Sequence, residues 1–395
     1  MKKIGVYQRY WGHAGGEERV AGVIAQILSE DAENQVEIVH HETSPDWAKM
    51  AEMLELDFSR VSFRYVERGE REKLSTWNPY RRLSAEFRYC REYSEPYDVF
   101  IASGKEPPVF HRAKRGILLV PFPSVTFEEF HGHTCSEWRR QSFLTRFLKS
   151  KYHALEWRCR FSSYDTWICL SEFTRRWAKV RWGISPQVLP MPLRSTLTPG
   201  EKKPLILSLG RFFAGNWKRQ DVLLETFQKL YRANRKEIDG RGIRFRMMGT
   251  CSEHPDDVAF VESLRRRAGN LPVEIVVNAP GQGVREALSQ ALCLWHATGY
   301  GVNEYKYPER MEHFGMTAVE AMASGAVPLV YHAGGVPEVV RHNRDGFLWS
   351  SQEELVDLTR QILRDEERLR QMRQSAIHAA ARYELDAFRE KLKNL

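Results

Sequence analysis

"EHFGMTAVEAMASGAVPLVYHAGGVPEVV", residues 312–340, sets two glutamates, Glu312 and Glu320, eight positions apart around a Phe-Gly break in an otherwise apolar stretch. On one continuous helix, eight residues at about 100° each turn roughly 800°, which leaves the two carboxylates about 80° apart around the axis. One face cannot carry both. The pattern instead predicts Glu312 in a loop, a turn at Gly315, and a short helix over 317–324 ended by Gly325. Such a helix points its N-terminus and its free N–H groups at whatever Glu312 faces.

Outward from this stretch the chain alternates strands and helices. Before it come "LILSL" (205–209), "IRFRMM" (243–248), "VEIVV" (273–277) and "LCLWH" (292–296), and "VPLVY" (327–331) lies within it, with helical segments such as "QDVLLETFQKLYRAN" between. A passage with five prolines and no periodic pattern, residues 185–204, reads as a linker. Ahead of it the same alternation runs through "KKIGVYQ" (2–8), the helical "EERVAGVIAQILSE", "VEIVH" (36–40), "YDVFIA" (97–102), "GILLV" (116–120) and "TWICL" (166–170). Continuous rather than alternating apolarity suits parallel sheets covered on both faces. The expectation is an α/β protein of two Rossmann-like domains with parallel sheets facing a central cleft, over 1–190 and 191–375, with a helical tail at 376–395 that crosses back to the first domain.

At 395 residues the chain exceeds the size at which a single core usually keeps growing, and 42% hydrophobic residues support folded domains. No apolar run approaches the ~20 residues of a membrane span, and the N-terminal stretch turns glycine-rich too early for a signal peptide, so a cytoplasmic location is expected. Six cysteines (Cys90, Cys135, Cys159, Cys169, Cys251, Cys293) form no C-x-x-C pair and read as reduced packing residues. The net charge of +8 suggests an anionic partner: nucleic acid, a phospholipid surface or a phosphorylated substrate. Between Arg139 and Trp182 there are eleven Lys/Arg against three acids, which reads either as a solvated helix face or as a surface for anionic membrane.

Two loops have the composition of anion sites. Gly15 and Gly16 in "HAGGEERV" follow the first strand and precede a helix, as a phosphate-approaching turn or a plain tight turn would. In "SLGRFFAGNWKRQD", Arg211 follows a strand and Lys218 lies seven residues on, before a new helix, either as a diphosphate clamp or as surface charges. Carboxylates repel phosphate, so beside such a clamp Glu312 and Glu320 suit sugar hydroxyls. Phosphate and hydroxyl contacts together describe a sugar nucleotide.

The stretch at 312–340, together with "GRF…KRQDVLLETF", resembles the signature of the retaining family-4 glycosyltransferases of the GT-B fold. "AGGEERV" and "YDTWICLSEFTRRW" are similar, more loosely, to the dolichol-pathway mannosyltransferase and bacterial polysaccharide branches. The resemblance implies a metal-independent enzyme without cofactor that moves a hexose from a UDP- or GDP-sugar to a glycan or lipid-linked acceptor. It implies ribose contacts from Glu320 and donor contacts from Glu312 and the backbone of His313, Phe314, Gly315, Met316 and Thr317. Arg211 and Lys218 would neutralise the leaving diphosphate, Gly15 and Gly16 would close on it from the first domain, and the base would be read near Asn278 to Val284. No Asp-x-Asp, the metal motif of the other large glycosyltransferase fold, occurs in the chain.

One departure stands out: the place after "GILLV" where relatives carry a donor-contacting histidine holds Pro121. His131 and His133 are candidate replacements, or ordinary loop histidines. Ser171 and Glu172 are further cleft candidates, with helix capping the plainer role for Ser171. A catalytically silent sugar-nucleotide binder or scaffold is the alternative reading. No nucleic-acid-binding pattern accompanies the charge, so no specific nucleic-acid partner is expected.

Overall fold

Thirteen strands in the described residues form two all-parallel sheets. The computed structural model describes residues 1–11, 15–67, 88–104, 108–124, 142–193 and 196–393. The first sheet has β1 (Lys2–Gln8), β2 (Asn34–His40), β3 (Val61–Tyr65), β4 (Val99–Ser103), β5 (Arg115–Val120), β6 (Thr166–Cys169) and β7 (Gln187–Val188), in the order β3-β2-β1-β4-β5-β6-β7. The second has β8 (Leu205–Leu209), β9 (Arg244–Gly249), β10 (Val273–Val277), β11 (Cys293–His296), β12 (Val327–Tyr331) and β13 (Phe347–Trp349), in the order β10-β9-β8-β11-β12-β13. Each sheet reverses its winding at one place, between β1 and β4 and between β8 and β11. At such a switch point the loops leaving the carboxyl ends diverge and open a crevice.

The chain divides into two compact units, Met1–Leu189 with Arg389–Leu395, and Pro190–Phe388. Part of the proline-rich passage is therefore not a linker but structure: Gln187 and Val188 pair with Ile168 and Cys169 at the edge of the first sheet. The tail forms the helices Gln352–Arg364, Glu366–Ala380 and Leu385–Lys393, and Arg389 pairs with Glu30 at 2.8 Å.

Both central strands are apolar because both of their faces are covered. In the second unit Phe227, Phe245, Trp295, Phe347 and Trp349 are fully buried, and the Trp295 indole N–H donates to Thr359 Oγ1 at 3.1 Å. Tyr7, Tyr93, Phe100 and Phe110 occupy the matching place in the first unit. Burying an aromatic or aliphatic side chain of this size contributes about 1.5–3 kcal/mol, so these clusters hold the strand ends that carry the loops. Cys90, Cys169 and Cys293 are buried, but Cys159 is exposed on the helix Phe143–Ser162, which corrects its reading as a packing residue.

Candidate functional site

The decisive stretch folds largely as its glycines dictate. Gly315 adopts φ +104°, a left-handed backbone open to glycine, and caps the helix Met316–Ala323, one residue earlier than the expected 317–324. Ser324 is its C-cap and Gly325 follows at φ +70°. The Gly-Gly pair after β12 secures the loop ahead of that helix. A Cβ on Gly334 would stand 2.3 Å from the Glu312 carbonyl oxygen, and one on Gly335 would stand 2.2 Å from that of His313.

Glu312 is thereby held at the carboxyl end of the second sheet, where β8 and β11 diverge. Its Oε2 accepts from Lys218 Nζ at 2.7 Å and lies 3.1 Å from His296 Nε2. Lys218 comes from the loop after β8, and His296 is the last residue of β11, only 4% exposed. Burial pushes the Glu312 carboxyl up, but the Lys218 charge and the His296 hydrogen bond outweigh it and hold the group well below the usual carboxylate range. Thr298 Oγ1 lies 2.9 Å from the same His296 nitrogen. Neither His296 nor Thr298 is marked by sequence pattern, since His296 closes an apolar strand run. Its position at the carboxyl end of a strand beside the switch point is the signal that singles it out.

Arg211, also on the loop after β8, is exposed, with its guanidinium carbon 6.0 Å from the Phe213 ring centroid. Gln220 braces the loop by donating to the carbonyls of Gly210 at 3.2 Å and Arg211 at 3.0 Å. Asp257 braces it again, accepting from the Ala214 amide at 2.8 Å and from Ser252 Oγ at 2.5 Å. The structure thus brings Lys218 and Glu312 into direct contact, whereas the sequence suggested separate ligands for them.

The other candidates lie as follows. Burial pushes the His313 imidazole down to about 4, with Glu312 opposing and Lys218 adding to the fall. Phe314 packs its ring against Tyr383 at 5.6 Å, so only its backbone faces the loop. Met316 and Thr317 open the helix, where the first turn of N–H groups has no carbonyl partner within the helix, and Glu320 lies one turn further on, half-buried. Asn278 spends its side chain on the Cys251 backbone, accepting at 2.9 Å and donating at 3.1 Å, and Val284 packs beside a small core cluster.

In the first unit Gly15 caps the helix Gly16–Ser29, and its amide donates to Glu18 Oε2 at 3.0 Å, so this turn holds a carboxylate of its own chain. Ser171 is buried and caps the helix Glu172–Trp182 by accepting from the Thr174 amide, while Glu172 pairs with Arg175 at 2.5 Å. His131, His133 and Cys135 lie outside the described residues.

Residues 193–379 match the family model described as "Glycosyl transferases group 1". A human GDP-Man:Man(3)GlcNAc(2)-PP-Dol alpha-1,2-mannosyltransferase is 30% identical over 206 residues, 49% of this chain and 38% of that protein's length. The similarity thus spans well under half of that relative. Among solved structures, a glycosyltransferase from Rickettsia africae superposes with a TM-score of 0.65 at 15% identity, covering 100% of this chain and 97% of that one. HepE of Anabaena, in complex with UDP and glucose, superposes with a TM-score of 0.64 at 13% identity, covering 100% and 98%. The chain therefore has the GT-B fold of two parallel-sheet Rossmann-like domains, and the stretch that matches glycosyl transferases group 1 is the one holding Arg211, His296 and the Lys218–Glu312 pair.

Proposed function

We propose that this protein is a retaining, metal-independent glycosyltransferase that moves a hexose from a UDP- or GDP-sugar to a hydroxyl of a glycan or lipid-linked acceptor. The observation that carries the reading is the Lys218–Glu312 pair at the switch point of the second sheet, ahead of the N-terminus of the helix Met316–Ala323, with Arg211 exposed on the same loop as Lys218. Two cations and a helix N-terminus suit a diphosphate, and a carboxylate beside them suits a sugar hydroxyl.

In the reaction the bond between the anomeric carbon and the diphosphate oxygen breaks, and the nucleoside diphosphate leaves with the bonding pair. The acceptor oxygen bonds to that carbon on the same face and gives up its proton to the departing phosphate. Arg211 and Lys218 stabilise the charge that grows on the diphosphate, a contribution of the oxyanion-stabilising kind. Glu320 holds the ribose, and the backbone at His313, Phe314, Gly315, Met316 and Thr317 holds the sugar and phosphate. The base rests near Asn278 to Val284.

An anionic membrane surface is part of the reading. The helix Phe143–Ser162 exposes Leu144 (66%), Phe147 (50%), Leu148 (60%) and Leu155 (62%) beside exposed Lys151 and Arg158. Exposed apolar and basic groups at helical spacing suit a peripheral lipid contact, and no helix among the described residues is long and apolar enough to cross a membrane.

The test is a thermal-shift screen across UDP-, GDP-, ADP- and TDP-sugars, followed by an assay of sugar release and transfer with the donor that stabilises the protein. Stabilisation together with turnover supports the enzyme. Stabilisation without any turnover supports the silent binder, and stabilisation by none of the donors overturns both.

A further inference from the structure

We infer that His296 is the positioning residue that keeps the Glu312 carboxylate in place once Lys218 has moved to a donor diphosphate. The inference rests on the function proposed above and concerns the same site.

Glu312 Oε2 has two partners of different character. Lys218 reaches it along a flexible four-carbon stem from a loop, with its side chain 33% exposed. His296 is 4% exposed and ends β11, which is hydrogen-bonded to β8 on one side and β12 on the other. The lysine can be drawn away, and the histidine cannot follow. A diphosphate carries more negative charge than one carboxylate, and an ammonium on a rotatable stem swings to it readily. Donor binding then leaves Glu312, 17% exposed, with one fixed partner. A carboxylate so far removed from water needs a hydrogen bond to stay ionised and oriented.

The ring's other nitrogen decides where its proton sits. His296 Nδ1 is buried and has no hydrogen-bond partner among the described residues. A proton there would have no acceptor, so it belongs on Nε2, facing Glu312 Oε2 at 3.1 Å and Thr298 Oγ1 at 2.9 Å. The opposite tautomer would aim a nitrogen lone pair at the carboxylate. Glu312 Oε1 has no hydrogen-bond partner among the described residues, which leaves it to accept a sugar hydroxyl while His296 holds Oε2.

The test compares His296→Ala, His296→Gln and His296→Phe with the parent. Gln restores an N–H near the Nε2 position, and Phe keeps the size without the donor. Affinities for UDP and UDP-glucose, and for GDP and GDP-mannose, are measured by calorimetry, with kcat for sugar release from whichever donor the parent binds. The expected result is bare-nucleotide affinity within about twofold of the parent in every variant. In Ala and Phe the dissociation constant of the sugar nucleotide relative to the bare nucleotide rises, and kcat falls, by about tenfold to a hundredfold, the scale of a hydrogen bond to a charged group. Gln recovers most of both.

Equal weakening of nucleotide and sugar nucleotide, or a Gln variant no better than Phe, overturns the inference. Should His296→Ala fail to fold, the Gln and Phe pair carries the comparison. Lys218→Ala is the control: weakened binding there with parent-like His296 variants fells the inference alone. A parent that binds none of the four nucleotides fells the functional reading with it.

Discussion

The Gly335 amide donates to the Glu312 carbonyl at 2.7 Å, so the backbone that carries the site's carboxylate is pinned by a residue more than twenty positions later. A Cβ on Gly335 would overlap the His313 carbonyl, and the backbone would have to give way. Gly335→Ala is therefore expected to cost about 1–3 kcal/mol of stability and to weaken sugar-nucleotide binding by displacing Glu312. Urea unfolding and calorimetry check the two effects. Parent-like values for both would mean the loop is not held by this contact.

Lys218→Ala is expected to lower turnover by about a hundredfold to a thousandfold if it stabilises the leaving diphosphate. Its coupling to Glu312 in the free protein should be small, about 1 kcal/mol in a double-mutant cycle with Glu312→Gln, because the lysine is partly exposed. Turnover unchanged in Lys218→Ala would remove it from the clamp.

His313 and Glu312 should leave separate marks on acid stability. In the unfolded chain His313 titrates near 6.5, and in the folded protein near 4, so the unfolded state takes up the proton first as pH falls. Its contribution is present above about 6.5 and is lost on the way down to 4. Glu312, depressed below its ordinary 4.5, contributes above that value and loses its contribution below it, as pH falls through the folded value. Melting temperatures between pH 7.5 and 3 should show His313→Gln flattening the upper part of the slope and Glu312→Gln the lower part. Identical slopes in parent and His313→Gln would contradict the assignment.

Lys202 donates from one ammonium to the Ser289 carbonyl at 2.7 Å and the Ser324 carbonyl at 2.6 Å, at the ends of the helices Gly281–Gln290 and Met316–Ala323. Lys202→Met leaves the Ser324 carbonyl without its donor, while the Ser289 carbonyl keeps the Gly200 amide at 3.2 Å, and should cost about 1–3 kcal/mol by denaturant titration. A loss near zero would show that water replaces the lysine freely.

Vesicle flotation tests the lipid contact. Replacing Leu144, Phe147, Leu148 and Leu155 by Ser should abolish binding to vesicles containing phosphatidylglycerol, and Lys151→Gln with Arg158→Gln should weaken it most at low salt. A parent protein that never floats with such vesicles would end the membrane reading.

Much of the architecture was legible because buried parallel strands announce themselves as apolar runs. The strands that escaped lie at or near sheet edges. "VSFRY" alternates because β3 is half-solvated, β7 is two residues inside a proline-rich passage, and β13 is a three-residue run after a turn. At the site, helix arithmetic separated Glu312 from Glu320, and the glycine at 315 marked the turn. The contact between Lys218 and Glu312 was not legible, because 94 positions separate them and only the parallel pairing of β8 with β11 brings their loops together. Sequence assigned the cation to phosphate and the carboxylate to hydroxyls, and had no means of seeing that in the free protein each satisfies the other. His296 was hidden for the opposite reason: a polar residue ending an apolar strand reads as packing until its neighbours are known.

The first unit is discontinuous in sequence, closed by residues that return after the whole of the second, with Arg389 fastened to Glu30. A genetic exchange that replaced residues 1–189 alone would leave Arg389 facing an unfamiliar helix. New pairings of these two units by recombination therefore call for two crossovers rather than one, or for a donor segment that retains an acid at the place of Glu30.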